Sequence, residues 1–239
     1  MKGLGVIARR ELTAYFRAPA GWLIIALYML LAGVIFSVYV LRPGGPASMR
    51  DFFAVSGWLL MPVAPAVAMR LFSDEIRSGT LEALLTSPVS PGAIVIGKFL
   101  GAMGFITCML LPTLLYVGTL YRVANIAPDP GPIICGYLCL YLLSTAYLGI
   151  GTLASSLTSN STLAFMVTLF AILGLLFAAA PADLAPAPVR TVLYAISIGP
   201  KVSEFARGVI DAANVVYFLG IGVFCLLAAT CTLELRRWG

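Results

Sequence analysis

Six long stretches without a formal charge limit what this chain can fold into more than any other feature. Residues 18–41, 52–69, 99–121, 133–157, 163–180 and 215–233 contain no Asp, Glu, Lys, Arg or His. About 20 apolar residues wound into a helix cross the ~30 Å hydrocarbon layer of a bilayer. Within that layer each backbone amide needs a partner inside the protein, and a helix supplies it segment by segment. A transmembrane barrel would show short segments of alternating polarity instead. The fold class expected is therefore an all-α membrane protein with six transmembrane helices. Composition agrees: 61% of the 239 residues are hydrophobic and 10% are charged, against about 25% charged in a typical soluble domain. The first apolar run is too long for a cleavable leader and is not followed by a clear small-residue cleavage site, so we expect it to stay in the mature chain.

Several chemistries are excluded at once. The chain has no histidine, which removes imidazole bases, His-ligated metals and Ser-His proteolysis. Its cysteines (Cys108, Cys135, Cys139, Cys225, Cys231) all fall in expected spans without a CxxC pair and read as small apolar packing residues. An intramembrane enzyme would have only Ser155 and Ser156 as weak nucleophile candidates. These lie beside Gly149, Gly151 and Ala154, a small-residue patch that suits close helix packing. We expect no catalytic residue, no metal site and no cofactor held by this chain. A proton-coupled carrier keeps ionisable groups inside its bundle, and these spans keep none. Na⁺ sites made of broken-helix carbonyls stay open, but an energy source outside the membrane fits better.

The basic residues orient the chain. With the N-terminus in the cytoplasm, the inner segments hold Lys2, Arg9, Arg10, Arg17, Arg70, Arg77, Lys98, Arg236 and Arg237. The outer ones hold Arg42, Arg50, Arg122, Arg190, Lys201 and Arg207. The bias is strongest around the first span, so both termini are expected inside. The net charge of +5 reflects this topology, and no nucleic-acid partner is expected. Residues 1–17 form a separate element. Leu4, Ile7, Ala8, Leu12, Tyr15 and Phe16 share one helical face, and Lys2, Arg9, Arg10, Glu11, Thr13 and Arg17 take the other. Such a helix lies among lipid headgroups until the chain turns into the bilayer at Pro19.

Prolines punctuate the rest. Pro62, Pro65 and Pro112 interrupt helical hydrogen bonding inside expected spans. The outer segment 181–214 opens with Pro181, Pro186 and Pro188, a stiff extended start. An apolar stretch follows and ends at Gly199-Pro200, after which 201–211 reads as a short amphipathic helix. Its Glu204–Arg207 and Arg207–Asp211 pairs have helical spacing. The segment reads as a surface-lying cap or as a lid over an exit path.

The remaining polar segment, 70–98, carries "SDEIRSGTLEALLTSPVSPGAIVIGK". Gly92 to Lys98 imitates a phosphate-binding loop, GxxxxGK[ST], but Phe99 stands where the Mg²⁺-binding hydroxyl belongs, and no strand precedes it. We expect no nucleotide here. Lys98 reads as an interface anchor, and Ser90-Pro91 as the cap and first turn of the third membrane helix. Asp74 and Glu75 suit the positive end of a short helix, which Gly79-Thr80 bends. Leu81, Leu84 and Leu85 give it an apolar side, with Arg77 and Glu82 outward, and Pro88 and Pro91 stop it. The result is a cytoplasmic docking surface.

The run "DEIRSGTLEALLTSPVSPGAIVIGKFLGA", with "SEFARGVIDAANVVYF" and the closing "LELRRW", resembles the membrane subunits of type-2 ABC exporters. It is nearest the gliding-motility and copper-maturation (nitrous oxide reductase) permeases. The resemblance implies a permease that hydrolyses nothing itself. Two cytoplasmic ABC ATPase subunits, carrying ATP and Mg²⁺, would serve a pair of permeases, homo- or heterodimeric, in the bacterial inner membrane. The coupling helix between spans 2 and 3 would seat the ATPase through Asp74, Glu75, Arg77, Gly79, Thr80, Glu82, Leu85 and Pro88. Phe205, Arg207, Gly208 and Asp211 would belong to an outer re-entrant gate. The outer loops are too short for a large extracytoplasmic domain. A membrane anchor that recruits an ATPase without transport remains the alternative.

Overall fold

A computed structural model describes residues 2–41, 48–85, 89–124, 128–181, 186–206, 208 and 210–238. Those residues contain helices and turns and no strand. Helix α1 spans Lys2–Arg17 and α2 Pro19–Ile35, the latter continued by a π-helical turn at Phe36–Val40; α3 is Arg50–Ala68. Two short helices follow, α4 (Ser73–Ser78) and α5 (Thr80–Leu85). Helix α6 (Pro91–Leu110) passes through a 3₁₀ turn at Leu111–Thr113 into α7 (Leu114–Val123). Then come α8 (Pro130–Leu157), α9 (Ser161–Phe177), α10 (Ala187–Ile196), α11 (Ile198–Ala206) and α12 (Ala212–Trp238).

Among the described residues, five helical stretches are long and apolar enough to cross a membrane: Pro19–Val40, Arg50–Ser78, Pro91–Val123, Pro130–Leu157 and Ala212–Arg236. The expected fifth span, 163–180, is the shorter helix α9, 17 residues long. At ~1.5 Å per residue it reaches about 25 Å, just under a hydrocarbon layer. Pro112 breaks its ladder as expected, giving the 3₁₀ turn between α6 and α7, whereas Pro62 and Pro65 lie within an unbroken α3.

Helix α8 is the axis of the bundle, packed by α3, α6, α9, α11 and α12. Small residues set these distances. A Cβ on Gly149 would come within 2.9 Å of Gly222 Cα, so α8 and α12 cross almost backbone to backbone; one on Gly151 would meet Ala68 Cβ at 2.4 Å. The small patch around Gly149 is therefore a packing surface, and Ala229 and Leu233 of α12 are fully buried.

The helices divide the molecule into two ends. At one end Arg10 of α1 meets Glu75 of α4. There too the Phe72 amide reaches Ser155 near the end of α8, and Arg236 of α12 reaches the Leu157 carbonyl. At the other end the Cys135 thiol, early in α8, faces the Gly208 carbonyl. Ser197, between α10 and α11, donates to the Leu176 carbonyl near the end of α9. We call these the α1 end and the α10 end.

The third membrane helix begins at Pro91, eight residues before its uncharged run starts at 99, with Ser90 as its cap (Ala93 N to Ser90 Oγ, 3.4 Å) and Pro91 in its first turn, as the sequence reading has it. Lys98 is thereby drawn inside the helix. In the 181–214 segment, Gly199-Pro200 does not end a stretch. Both sit in the first turn of α11, where a missing proline N–H costs nothing. The helix runs Ile198–Ala206, earlier than the expected 201–211, and a second helix, α10, precedes it.

Candidate functional site

The charged stretch that follows α3 folds into two short helices lying across the α1 end. Asp74 and Glu75 occupy the first turn of α4, where the exposed amides favour acids. Gly79 stops α4 in the left-handed conformation, φ 70°, which L side chains adopt at a cost of about 1 kcal/mol. Helix α5 begins directly after it, at Thr80. The start of α4 has no side-chain cap of its own. Its Phe72 and Ser73 amides donate instead to Ser155 Oγ of α8, at 2.9 and 3.1 Å, and Ser155 donates to the Met69 carbonyl at 3.1 Å. Ser156 pairs with Thr232 of α12 at 3.0 Å. Ser155 thus ties the turn after α3 to α8, and Ser156 ties α8 to α12. Among the described residues, none of these partners is a base that would make either serine a nucleophile.

The two short helices are two-faced. Ile76 packs toward the core and Leu81 is buried. Asp74, Arg77, Gly79, Thr80 and Glu82 are exposed on the other side. Thr80 Oγ1 lies 2.9 Å from Ser78 Oγ across the Gly79 bend, which closes the joint. Leu85 ends α5; its side chain, like the whole of Pro88, falls outside the described residues. Glu75, which the resemblance counted among the docking residues, is only 20% exposed. It turns inward, and its partner is Lys98.

Lys98 is the buried centre of this end. The side chain is 2% exposed, so it is not the interface anchor read from the sequence. Its Nζ lies 2.9 Å from Glu75 Oε1, 3.3 Å from Glu11 Oε2 and 2.6 Å from the Leu71 carbonyl, with the Phe72 ring 5.2 Å away. Arg10 meets the same Glu75 Oε1 at 3.3 Å, while Glu75 Oε2 is buried without a hydrogen bond. Desolvation of an ammonium this deep is offset only when it is paired and hydrogen-bonded, and the two carboxylates and the carbonyl do that. Burial holds the Glu11 carboxyl above its ordinary range, although Lys98 acts in the opposite sense. The cluster joins three elements distant in sequence: α1, the α3–α4 turn and α6.

Glycines make the cluster reachable. A Cβ on Gly97 would fall 2.9 Å from Ile7 Cγ2, and one on Gly101 would fall 2.6 Å from Glu11 Cβ and 2.8 Å from the Ala8 carbonyl oxygen. Gly97, Gly101 and Gly104 line one face of α6, and α1 rests in that trough. Tyr15 donates to the Val67 carbonyl at 2.8 Å and packs on Phe105, with ring centroids 4.9 Å apart. In the sequence the "GKFLGAMG" stretch reads as the start of a span. The spacing of its glycines and the lone acid in α1 are the available signals for a docked partner helix.

At the α10 end, Phe205 is fully buried and packs near Phe218, with centroids 6.3 Å apart. Gly208 takes φ 83° against Pro132. Asp211 caps α12 through the Ala213 amide at 2.9 Å. Glu204 accepts from the Asn214 side-chain amide. Arg207, which the spacing paired with both acids, lies outside the described residues. Lys201 caps the end of α10, donating to the Ala195 and Ser197 carbonyls at 2.7 and 3.1 Å. Partial burial lowers its pKa from the ordinary lysine value.

A multi-helix membrane bundle with an exposed, charge-bearing pair of short helices between two of its spans describes a class: a multi-pass membrane component that presents a polar surface to something outside the bilayer. Residues 47–207, well over half of the chain, match the family described as ABC-2 family transporter protein. The chain belongs to that family, whose members are the permeases of ABC transporters. A comparison with curated proteins finds no match.

Proposed function

We propose that this chain is the permease half of an ABC exporter, driven by a separate cytoplasmic ATPase that docks on the exposed face of α4 and α5. The observation that carries the reading is that face itself. Asp74, Arg77, Gly79, Thr80 and Glu82 are exposed, while Glu75 and Leu81 anchor the same helices inward. A surface meant for lipid tails would be apolar, one meant for anionic headgroups would not carry Asp74 and Glu82, and one meant only for water would not be bolted through Ser155 and Lys98 to the membrane helices. Force applied there passes straight to α3, α6 and α8.

The rest of the reading follows from the two ends. Contacts alternate from the α1 end to the α10 end along the chain, so α9, although short, completes a sixth crossing. Hydrophobic mismatch of a few ångströms is accommodated by local thinning. Both termini then share the cytoplasmic side with α4 and α5, in agreement with the basic residues around the first span. Two permeases and two ATPase subunits make the working unit in a bacterial inner membrane. By the resemblance of its 70–98 loop, we place it in the gliding-motility and copper-maturation branch. The α10–α11 segment is the outer re-entrant cap.

Charge reversal tests the docking face. Glu82→Lys and Arg77→Glu change only exposed side chains, so the permease should insert and melt as before while nucleotide hydrolysis by the co-expressed ATPase loses its dependence on the permease. Unchanged coupled hydrolysis in both variants would move the docking site elsewhere.

A further inference from the structure

Helix α1 has one acid, Glu11, and the fold turns it inward onto Lys98. What remains outside is cationic. Val6, Arg10, Thr13 and Arg17 recur at helical spacing along one exposed stripe, with Arg9 beside it. Val6 is 68% exposed, so the stripe mixes an apolar side chain with guanidinium groups. At the elbow into α2, Trp22 is exposed and donates its indole N–H to the Phe16 carbonyl at 2.8 Å. An indole at that level, followed directly by lipid-facing leucines such as Leu23, sets α1 at headgroup depth. Cations, an apolar residue and an interfacial tryptophan on one face suit a membrane surface better than an acidic protein surface.

Arg10 belongs to two systems at once. Its side chain is 59% exposed, yet it bonds Glu75 Oε1, and Glu75 is held independently by Lys98 at 2.9 Å. We propose that α1 binds anionic phospholipid headgroups through Arg9, Arg10 and Arg17, and that lipid phosphate competes with Glu75 for Arg10, so that membrane charge sets how tightly α4 is held. The functional consequence rests on α4 being the ATPase coupling helix; the binding and its effect on α4 do not. With Arg10 drawn to phosphate, Glu75 keeps Lys98 but loses its second cation. Helix α4 loosens without detaching.

Hydrogen exchange on the full-length permease in nanodiscs tests this without any ATPase. Discs of phosphatidylcholine are compared with discs in which about a third of the lipid is phosphatidylglycerol. Each arginine near an anionic surface contributes roughly fivefold to headgroup affinity. Amides of α1 should therefore exchange several-fold more slowly in the anionic discs, and high salt should erase the difference. Arg9→Gln with Arg17→Gln should abolish most of that slowing. Amides of α4 should exchange faster in anionic discs, and Arg10→Gln should fix them at the fast level in both lipids. If α1 exchanges alike in the two lipids, or responds only when an ATPase is added, the lipid assignment is overturned. If α1 responds while α4 does not, or if Arg10→Gln keeps the lipid response of α4, the link through Arg10 is overturned. Loss of ATPase docking in the charge-reversal variants would leave all these outcomes readable.

Discussion

The two ends of the molecule hold their short helices by different physics. At the α1 end, α4 is fixed by a charge cluster around a buried ammonium, and a docked helix covers it. At the α10 end, α10 and α11 are fixed by caps: Lys201 on the last carbonyls of α10, Tyr217 on the Ile196 carbonyl and Asp211 on the first amides of α12. In a charge cluster the cost concentrates at the buried centre, because removing that charge leaves its partners uncompensated. Caps are each worth about 1 kcal/mol and fail singly. The α1 end is held through one shared buried charge, and the α10 end by separable fastenings. Under the proposed function, the first suits an end that would transmit force and the second a segment that would open and close.

That contrast can be broken, and the largest effect should come from its centre. Lys98→Met leaves Glu11 and Glu75 without their shared cation, which should lower stability by about 3–5 kcal/mol. A thermal melt of the purified permease reads this, and adding Glu11→Gln and Glu75→Gln should recover much of it. Next, Gly101→Leu drives a side chain into Ala8 and Glu11 and should cost about 1–3 kcal/mol. It should also free α1, seen as faster proteolysis within residues 2–17. A smaller effect, about 1 kcal/mol, is expected at the other end from Asp211→Ala, which removes the cap of α12. Exchange of the first α12 amides should rise while α4 is untouched. Equal loosening of both ends would erase the distinction between them.

The smallest effect is a pH dependence. Burial raises the Glu11 carboxyl above its unfolded value, so between those two values the folded state binds more protons than the unfolded one. Stability therefore falls as pH rises through a window starting at the ordinary carboxylate range. Glu11→Gln should flatten that slope when melts are compared from mildly acidic to neutral pH. A slope that survives the substitution would assign the titration to another group.

Much of the fold is legible in the residues alone. Uncharged runs mark the spans, because hydrocarbon tolerates no unpaired charge. Pro19, Ser90-Pro91 and Gly79 mark three boundaries, because each acts through local backbone chemistry. Glu75 and Lys98 read differently in sequence and in structure for a common reason. Their positions look interfacial, and only the tertiary approach of α1, made possible by Gly97 and Gly101, converts an interface lysine into a buried hub. The α11 boundary is hidden because Gly-Pro reads as a stop, although proline is equally at home in a first turn. Pro88 and Arg207, both singled out in the sequence, lie outside the described residues.

Site-directed cross-linking tests the central claim most directly. A cysteine at Arg77, in the exposed face of α4, and one at Arg122, late in α7 toward the opposite end, would each be introduced into a background with the native cysteines replaced. Each variant would be co-expressed with the partner ATPase. The account expects a short bifunctional reagent to join the ATPase to the Arg77→Cys permease, with nucleotide changing the yield, and to leave the Arg122→Cys permease free. An Arg77→Cys permease that never captures the ATPase, while transport continues, would contradict it.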